Sequence, residues 1–198
     1  MTCNFQSCFE RALPYEQFLE QHGTAEHRQR WQALYDKVTL LPEQKDLLAG
    51  FRRRMHVLCM AGTWCGDCVN ACPIFQHFAA ASPMIDLRFI NRAQKFDPAV
   101  GDPDTLVANE LSICGAPRVP VLLFLSEDWC ECERFGERTL VTYRHKAANL
   151  HGASCPTGLV APPQDLLAAN IAEWLTHFER VELMLLTSPR LMKLHREA

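Results

Sequence analysis

Apolar positions recur every three to four residues over 12–55, the spacing of one helical face. Pro14 suits the first turn of a short helix ending near His22-Gly23, where glycine fits a C-terminal cap. Thr24, followed by Glu26 and His27, opens a second helix with Trp31, Leu34, Tyr35 and Val38 at helical spacing. Pro42 sits in the first turn of a third, which presents Leu47, Leu48 and Phe51 and weakens at Gly50. The periodicity then stops. His56 to Ala61 is a short, continuous apolar run, the pattern of a buried strand.

Beyond it the two periods alternate. Cys68 to Ala81 predicts a helix with Val69, Phe75 and Phe78 inward and Pro73 within it, and Ile85 to Ile90 predicts a second strand. Asp102-Pro103 supplies an N-cap and first position for a helix reaching about Ile113. Val119 to Leu125 reads as a strand begun through Pro120, since the middle of a ladder does not tolerate proline. Two β-rich stretches, Glu133 to Gly136 and Leu140 to Tyr143, follow, and the glycines and prolines of 145–162 predict a loop. From Gln164 a long amphipathic helix presents Leu167, Ile171, Trp174, Leu175, Phe178 and Met184. Helices between strands predict an α/β sandwich with a mixed sheet.

Composition narrows the picture. A chain of 198 residues, 48% of them hydrophobic, holds one core plus a modest extension. A net charge of -3 gives no reason to expect nucleic acid or an anionic membrane as partner. Arg52-Arg53-Arg54 suits a helix C-terminus, where cations meet the dipole favourably. No apolar run has the length to span a bilayer, and Met1 to Gln6 lack the pattern of a secretory signal, so a cytoplasmic protein is expected. Ten cysteines at irregular spacing then read as free thiols, with the close pairs redox-active or metal-binding.

Trp64-Cys65-Gly66-Asp67-Cys68 directly follows the first strand and opens the helix that holds Pro73. Two thiols at a helix N-terminus meet unpaired backbone N–H groups and the positive end of the dipole, both of which favour thiolate. Together with Arg118-Val119-Pro120 before the third strand, this arrangement resembles the thioredoxin superfamily over about residues 56–187. The Trp-Cys-Gly-Asp-Cys form and Phe135-Gly136-Glu137-Arg138 are similar to a bacterial thioredoxin-like group carrying that motif. The resemblance implies a thioredoxin-like fold over 56–187, with a helical N-terminal extension over 1–55 and a short polar tail over 188–198.

The resemblance also implies roles. Cys65 is the attacking thiolate and Cys68 the resolving one, Trp64 shields the pair, and Gly66 and Asp67 complete the substrate-facing turn. Pro120 is cis, and the Val119 backbone pairs with an extended substrate segment. Two positions depart from the family: Asp67 replaces the usual proline, and Cys59 stands where the family keeps a buried acid. A carboxylate beside two thiols raises their pKa and makes the pair more reducing, while the helix dipole acts the other way.

The implied function is a thiol–disulfide oxidoreductase, most simply a reductase of protein or small-molecule disulfides. No Gly-rich dinucleotide fingerprint follows a strand, so no cofactor is expected; a separate reductase or a low-molecular-weight thiol supplies the electrons. The alternatives are a non-catalytic binding module that uses the Pro120 edge, and a thiolate metal-binding protein. For the latter, Cys65, Cys68 and Cys72 lack a clear fourth ligand nearby, so no metal site is assigned. Cys72 is either a third redox thiol or a packed helix cysteine, and Cys114 fits core or loop. Cys130-x-Cys132, with His151 and Cys155, is open to a thiol site, a zinc site, a disulfide or solvated loop thiols. Trp31, Tyr35 and Phe51 are read as core against the sheet, and His22, His27, His56 and His77 are assigned nothing.

Overall fold

In the computed structural model, which describes residues 4–95, 103–148 and 162–197, the unbroken apolar runs are the central strands of one sheet. These are β1 (Met55–Ala61) and β3 (Val121–Leu125), buried along their whole length. Strands β2 (Ile85–Asn91) and β4 (Glu131–Gly136) flank them in the order β2-β1-β3-β4. Strands β1 and β2 are parallel, with Met55 opposite Ile85 and Ala61 opposite Asn91. Strand β3 is antiparallel to both of its neighbours. A central strand is covered on both faces, which is why β1 and β3 show no polar alternation.

Four helices, α1 (Phe5–Arg11), α2 (Tyr15–His22), α3 (Ala25–Tyr35) and α4 (Pro42–Ala49), precede the sheet. Helix α5 (Gly66–Ala81) connects β1 to β2, and α6 (Pro103–Glu110) lies between β2 and β3 in the chain. Helices α7 (Leu140–Ala148), α8 (Gln164–Leu186) and α9 (Pro189–Glu197) follow β4.

The pleat separates two faces. Val57, Cys59 and Ala61 share one face of β1, and the register adds Phe124, Leu122 and Phe89 to it. Helices α5 and α8 close this face through aromatic edges: Phe124 and Phe178 lie 5.0 Å apart, Phe78 and Phe178 5.1 Å, and Phe75 and Trp174 4.7 Å. Tyr15, Phe18 and Trp31 of the N-terminal helices gather around Phe89. The opposite face carries His56, Leu58 and Met60; there Phe9 of α1 meets His56 at 5.0 Å, and α6 packs beside α1. The outer edge of β2 is paired at one point, where Leu13 exchanges two backbone hydrogen bonds with Phe89.

Five expectations change. Leu140 to Tyr143 is the start of helix α7, not a strand, despite its β-branched and aromatic residues. Thr139 accepts the Thr142 N–H at 3.2 Å, and the Glu173 carboxylate of α8 accepts those of Leu140 and Val141, so the first turn is capped from outside. The expected loop accordingly starts later, and 149–161 lie outside the described residues. Met184 is exposed, and Val181, Glu182 and Leu185 are buried in that turn of α8. Residues 189–197 form helix α9, seated by buried Leu191 and by pairs from Arg190 to Asp128 and His195 to Glu127. Helix α6 stops at Glu110, and the chain then turns through Cys114, which is exposed at φ 53.

Candidate active site

Strand β1 ends at Ala61, and the next four residues deliver Cys65 to the N-cap of α5. That turn is held from the N-terminal helices. Buried Thr63 donates its hydroxyl to the His22 carbonyl at 2.9 Å and lies 3.1 Å from His27 Nδ1, while Trp31 donates its indole N–H to the Thr63 carbonyl at 3.0 Å. None of these residues is marked as functional by the sequence, because each bond spans more than thirty positions. Trp64 folds back over Gly62, where a Cβ would sit 2.7 Å from the indole nitrogen. Its N–H is donated to the Arg92 carbonyl at 3.3 Å, and the Arg92 guanidinium lies 4.9 Å above its ring.

Cys65 and Cys68 are both free thiols, the first half-exposed and the second with no exposure. The Cys65 sulfur lies 3.6 Å from the Val119 carbonyl oxygen, and the Val119–Pro120 peptide bond is cis. The Cys68 sulfur accepts the Gly62 N–H at 3.4 Å, and the Cys65 and Cys72 thiols act on it as further donors that lower its pKa. Burial alone would raise the Cys68 thiol; those three donors outweigh it and hold the thiol at about 5. Cys65 is pushed far up by its hydrogen bond to Cys68 and by burial. The two ionise as a pair, the first proton leaving below the ordinary thiol value and the second above it.

Behind them Cys72 lies one helical turn past Cys68, and its sulfur is 4.0 Å from that of Cys59 on β1. Burial pushes both thiols up, so neither is ionised at neutral pH. Four sulfurs thus run inward from the half-exposed Cys65 to the fully buried Cys59.

Asp67, expected to set an uncompensated charge against the thiols, is doubly paired instead. Arg138 meets it at 2.6 Å and Lys146 at 2.9 Å. The effect of Asp67 on the two thiols is to raise both, and it is smaller than that of burial and of the sulfurs on one another. Lys146 belongs to α7 and falls in the stretch where the sequence predicts a loop, so no sequence pattern points to it.

Cys65, Cys68, Trp64, Gly66, Asp67, Val119 and Pro120 are therefore brought to one end of the sheet. Cys130 and Cys132 are not among them. Cys130 is exposed before β4, and Cys132 donates to its carbonyl at 3.6 Å, while burial and the nearby Cys130 push the Cys132 thiol up to about 11. His151 and Cys155 lie outside the described residues. No group of three His, Cys, Asp or Glu among the described residues has the arrangement to hold a metal ion. No described helix is long and apolar enough to cross a membrane.

A search of curated proteins finds no significant match. Among solved structures the fold is similar to PA1234, a protein of unknown function from Pseudomonas aeruginosa, at 20% identity and a TM-score of 0.67 over 90% of this chain and 98% of that one. It is also similar to an HIV epitope-scaffold, at 18% identity and a TM-score of 0.59 over 99% of both chains. The family model described as Thioredoxin matches residues 12–143, well over half of the chain and including most of the N-terminal helices. This chain belongs to the thioredoxin family.

Proposed function

We propose that this protein is a thiol–disulfide oxidoreductase that reduces protein or small-molecule disulfides through Cys65 and Cys68. One observation carries the reading: a half-buried thiol at a helix N-cap, one turn from a buried partner thiol and 3.6 Å from the Val119 carbonyl oxygen beside a cis proline. Cys65 is the attacking group, because Cys68 has no exposed surface to meet a substrate.

The Cys65 proton crosses the hydrogen bond to Cys68, and the Cys65 thiolate attacks one substrate sulfur. A mixed disulfide forms, the substrate S–S bond breaks, and one substrate thiolate leaves. Cys68 must then lose its proton. Cys59 and Cys72 are held protonated by burial, and Asp67 is engaged by two cations, so the departing thiolate is the base at hand. Cys68 attacks the Cys65 sulfur, closing the Cys65–Cys68 disulfide and releasing the second substrate thiol. The substrate gains two electrons from the pair and two protons, one from the pair and one from water, and a separate reductase or a low-molecular-weight thiol returns the pair to its reduced form.

Cys65→Ser is expected to abolish reduction of insulin or a model disulfide, and Cys68→Ser to accumulate a mixed disulfide that identifies the substrate. Unchanged turnover in Cys65→Ser refutes the reading. A reduction potential near about −270 mV or lower supports a reductase, and one above about −180 mV an oxidant or isomerase. A non-catalytic module would instead hold its partner equally well with both thiols replaced.

A further inference from the structure

The Phe135-Gly136-Glu137-Arg138 segment has no part in the exchange steps above, yet it ends against the dithiol. Gly136 closes β4 where a Cβ would lie 2.5 Å from the Pro120 carbonyl oxygen, so only glycine passes this close to the cis proline. The chain beyond it buries Glu137, which accepts from Arg118 at 2.6 Å, from the Tyr143 hydroxyl at 3.0 Å and from Arg138. Arg138 lies 5.6 Å from the Tyr143 ring centre, and its other guanidinium nitrogen reaches Asp67 at 2.6 Å. One carboxylate thus orients two arginines. One arginine adjoins Val119, and the other meets Asp67, the second of the two residues between the cysteines.

We propose that Arg138, oriented by Glu137 and assisted by Lys146, is a positioning residue that compensates the Asp67 carboxylate beside the sulfurs of Cys65 and Cys68. The inference rests on the redox reading of those two thiols. Its physics is charge balance: an uncompensated carboxylate one residue from a thiolate disfavours the thiolate, and a paired one does so far less. The remaining groups that bear on the pair are Cys72 of α5, Cys59 of β1 and Arg92 beyond β2, together with Arg118, Glu137 and Tyr143 behind Arg138. The pairing also accounts for how Asp67 fits a turn that needs a thiolate. Its charge is matched by cations from two separate segments, residues 71 and 79 positions further along the chain.

The test compares wild type with Arg138→Gln, Asp67→Asn and the double variant, reading the pH midpoint of Cys65 alkylation and the Cys65–Cys68 equilibrium with glutathione. Arg138→Gln is expected to raise the midpoint of Cys65 alkylation by about half a unit to one unit, a three- to tenfold change in the ionisation constant, and to shift the equilibrium towards the disulfide in proportion. Asp67→Asn alone, which leaves two cations unmatched, is expected to lower the midpoint, and in the double variant the midpoint is expected to return close to wild type. Arg138→Lys, which keeps the charge, is expected to fall between wild type and Arg138→Gln. An unmoved midpoint in Arg138→Gln, or a full shift that persists with Asp67→Asn, overturns the proposal. If Arg138→Gln does not fold, Lys146→Gln tests the same compensation through the second cation, and no shift there overturns it. The midpoint requires no turnover. A wild type that forms no Cys65–Cys68 disulfide defeats the redox reading, while the alkylation series still decides the role of Arg138.

Discussion

At the scale of single residues, the chemistry turns on what surrounds the Cys68 sulfur. It has no exposed surface, and burial would by itself oppose its charge. The donors that reverse this are one backbone N–H and two thiols, and Cys72 is the donor that no exchange step uses. Cys72→Ala is therefore expected to raise the midpoint of the first thiol ionisation by about half a unit to one unit. Cys72→Ser keeps a donor in place and is expected to leave the midpoint near wild type, even where the buried hydroxyl costs stability. Alkylation of Cys65 against pH checks both, and equal midpoints in all three proteins would remove Cys72 from the site. The Cys65 and Cys68 spacing was legible in the sequence because one helical turn places both thiols. The approach of Cys59 to Cys72 was not, since it depends on which face of β1 meets α5. Nor were the partners of Asp67, which only the closed fold brings alongside.

At the scale of elements, α7 shows how tertiary contacts overrule local preference. Leu140-Val141-Thr142-Tyr143 favours strand, and none of the helix's side chains is buried. What holds it as a helix is the first turn, with Thr139 capping Thr142 and Glu173 receiving two backbone N–H groups across from α8. Glu173→Ala is expected to cost about 1 kcal/mol in urea unfolding, the usual loss of a helix cap. Because α7 carries Lys146, the same variant is expected to loosen one Asp67 pair and raise the Cys65 midpoint slightly. A stability loss with no change in the midpoint would mean that Lys146 holds Asp67 independently of the cap. The central strands were legible for the opposite reason: a strand covered on both faces is apolar throughout, and no partner is needed to recognise it. Helix α9 was missed because its sequence is polar, and its seat depends on one buried leucine and two distant acids.

At the scale of the whole molecule, the sheet separates two electrostatic sites. Strand β1 ends at the dithiol turn, and at its beginning His56 stacks on Trp129 at 4.0 Å and lies 3.6 Å from Asp86. Seven extended residues place these ends roughly 20 Å apart, about two Debye lengths at physiological salt, so their charges are largely screened from each other. The contact with His56 and the nearby Arg88 hold the Asp86 carboxyl below its ordinary value, against the opposing effect of burial. A group depressed in the folded state binds its proton more readily when unfolded. Its contribution is thus complete above the ordinary carboxylate value and lost as pH falls through the lower, folded one. With about a third of the Asp86 side chain exposed, solvent screening limits this contribution to under about 1 kcal/mol. Asp86→Asn is accordingly expected to be less stable than wild type at pH 7, by less than about 1 kcal/mol, with the gap closing as pH drops below about 4. Urea unfolding of both proteins from pH 7 to pH 3 reads this directly, and a gap that widens in acid would reverse the sign assigned here. The same variant is expected to leave the Cys65 alkylation midpoint unmoved. Any shift there would mean that the two ends of β1 are coupled through the packed core.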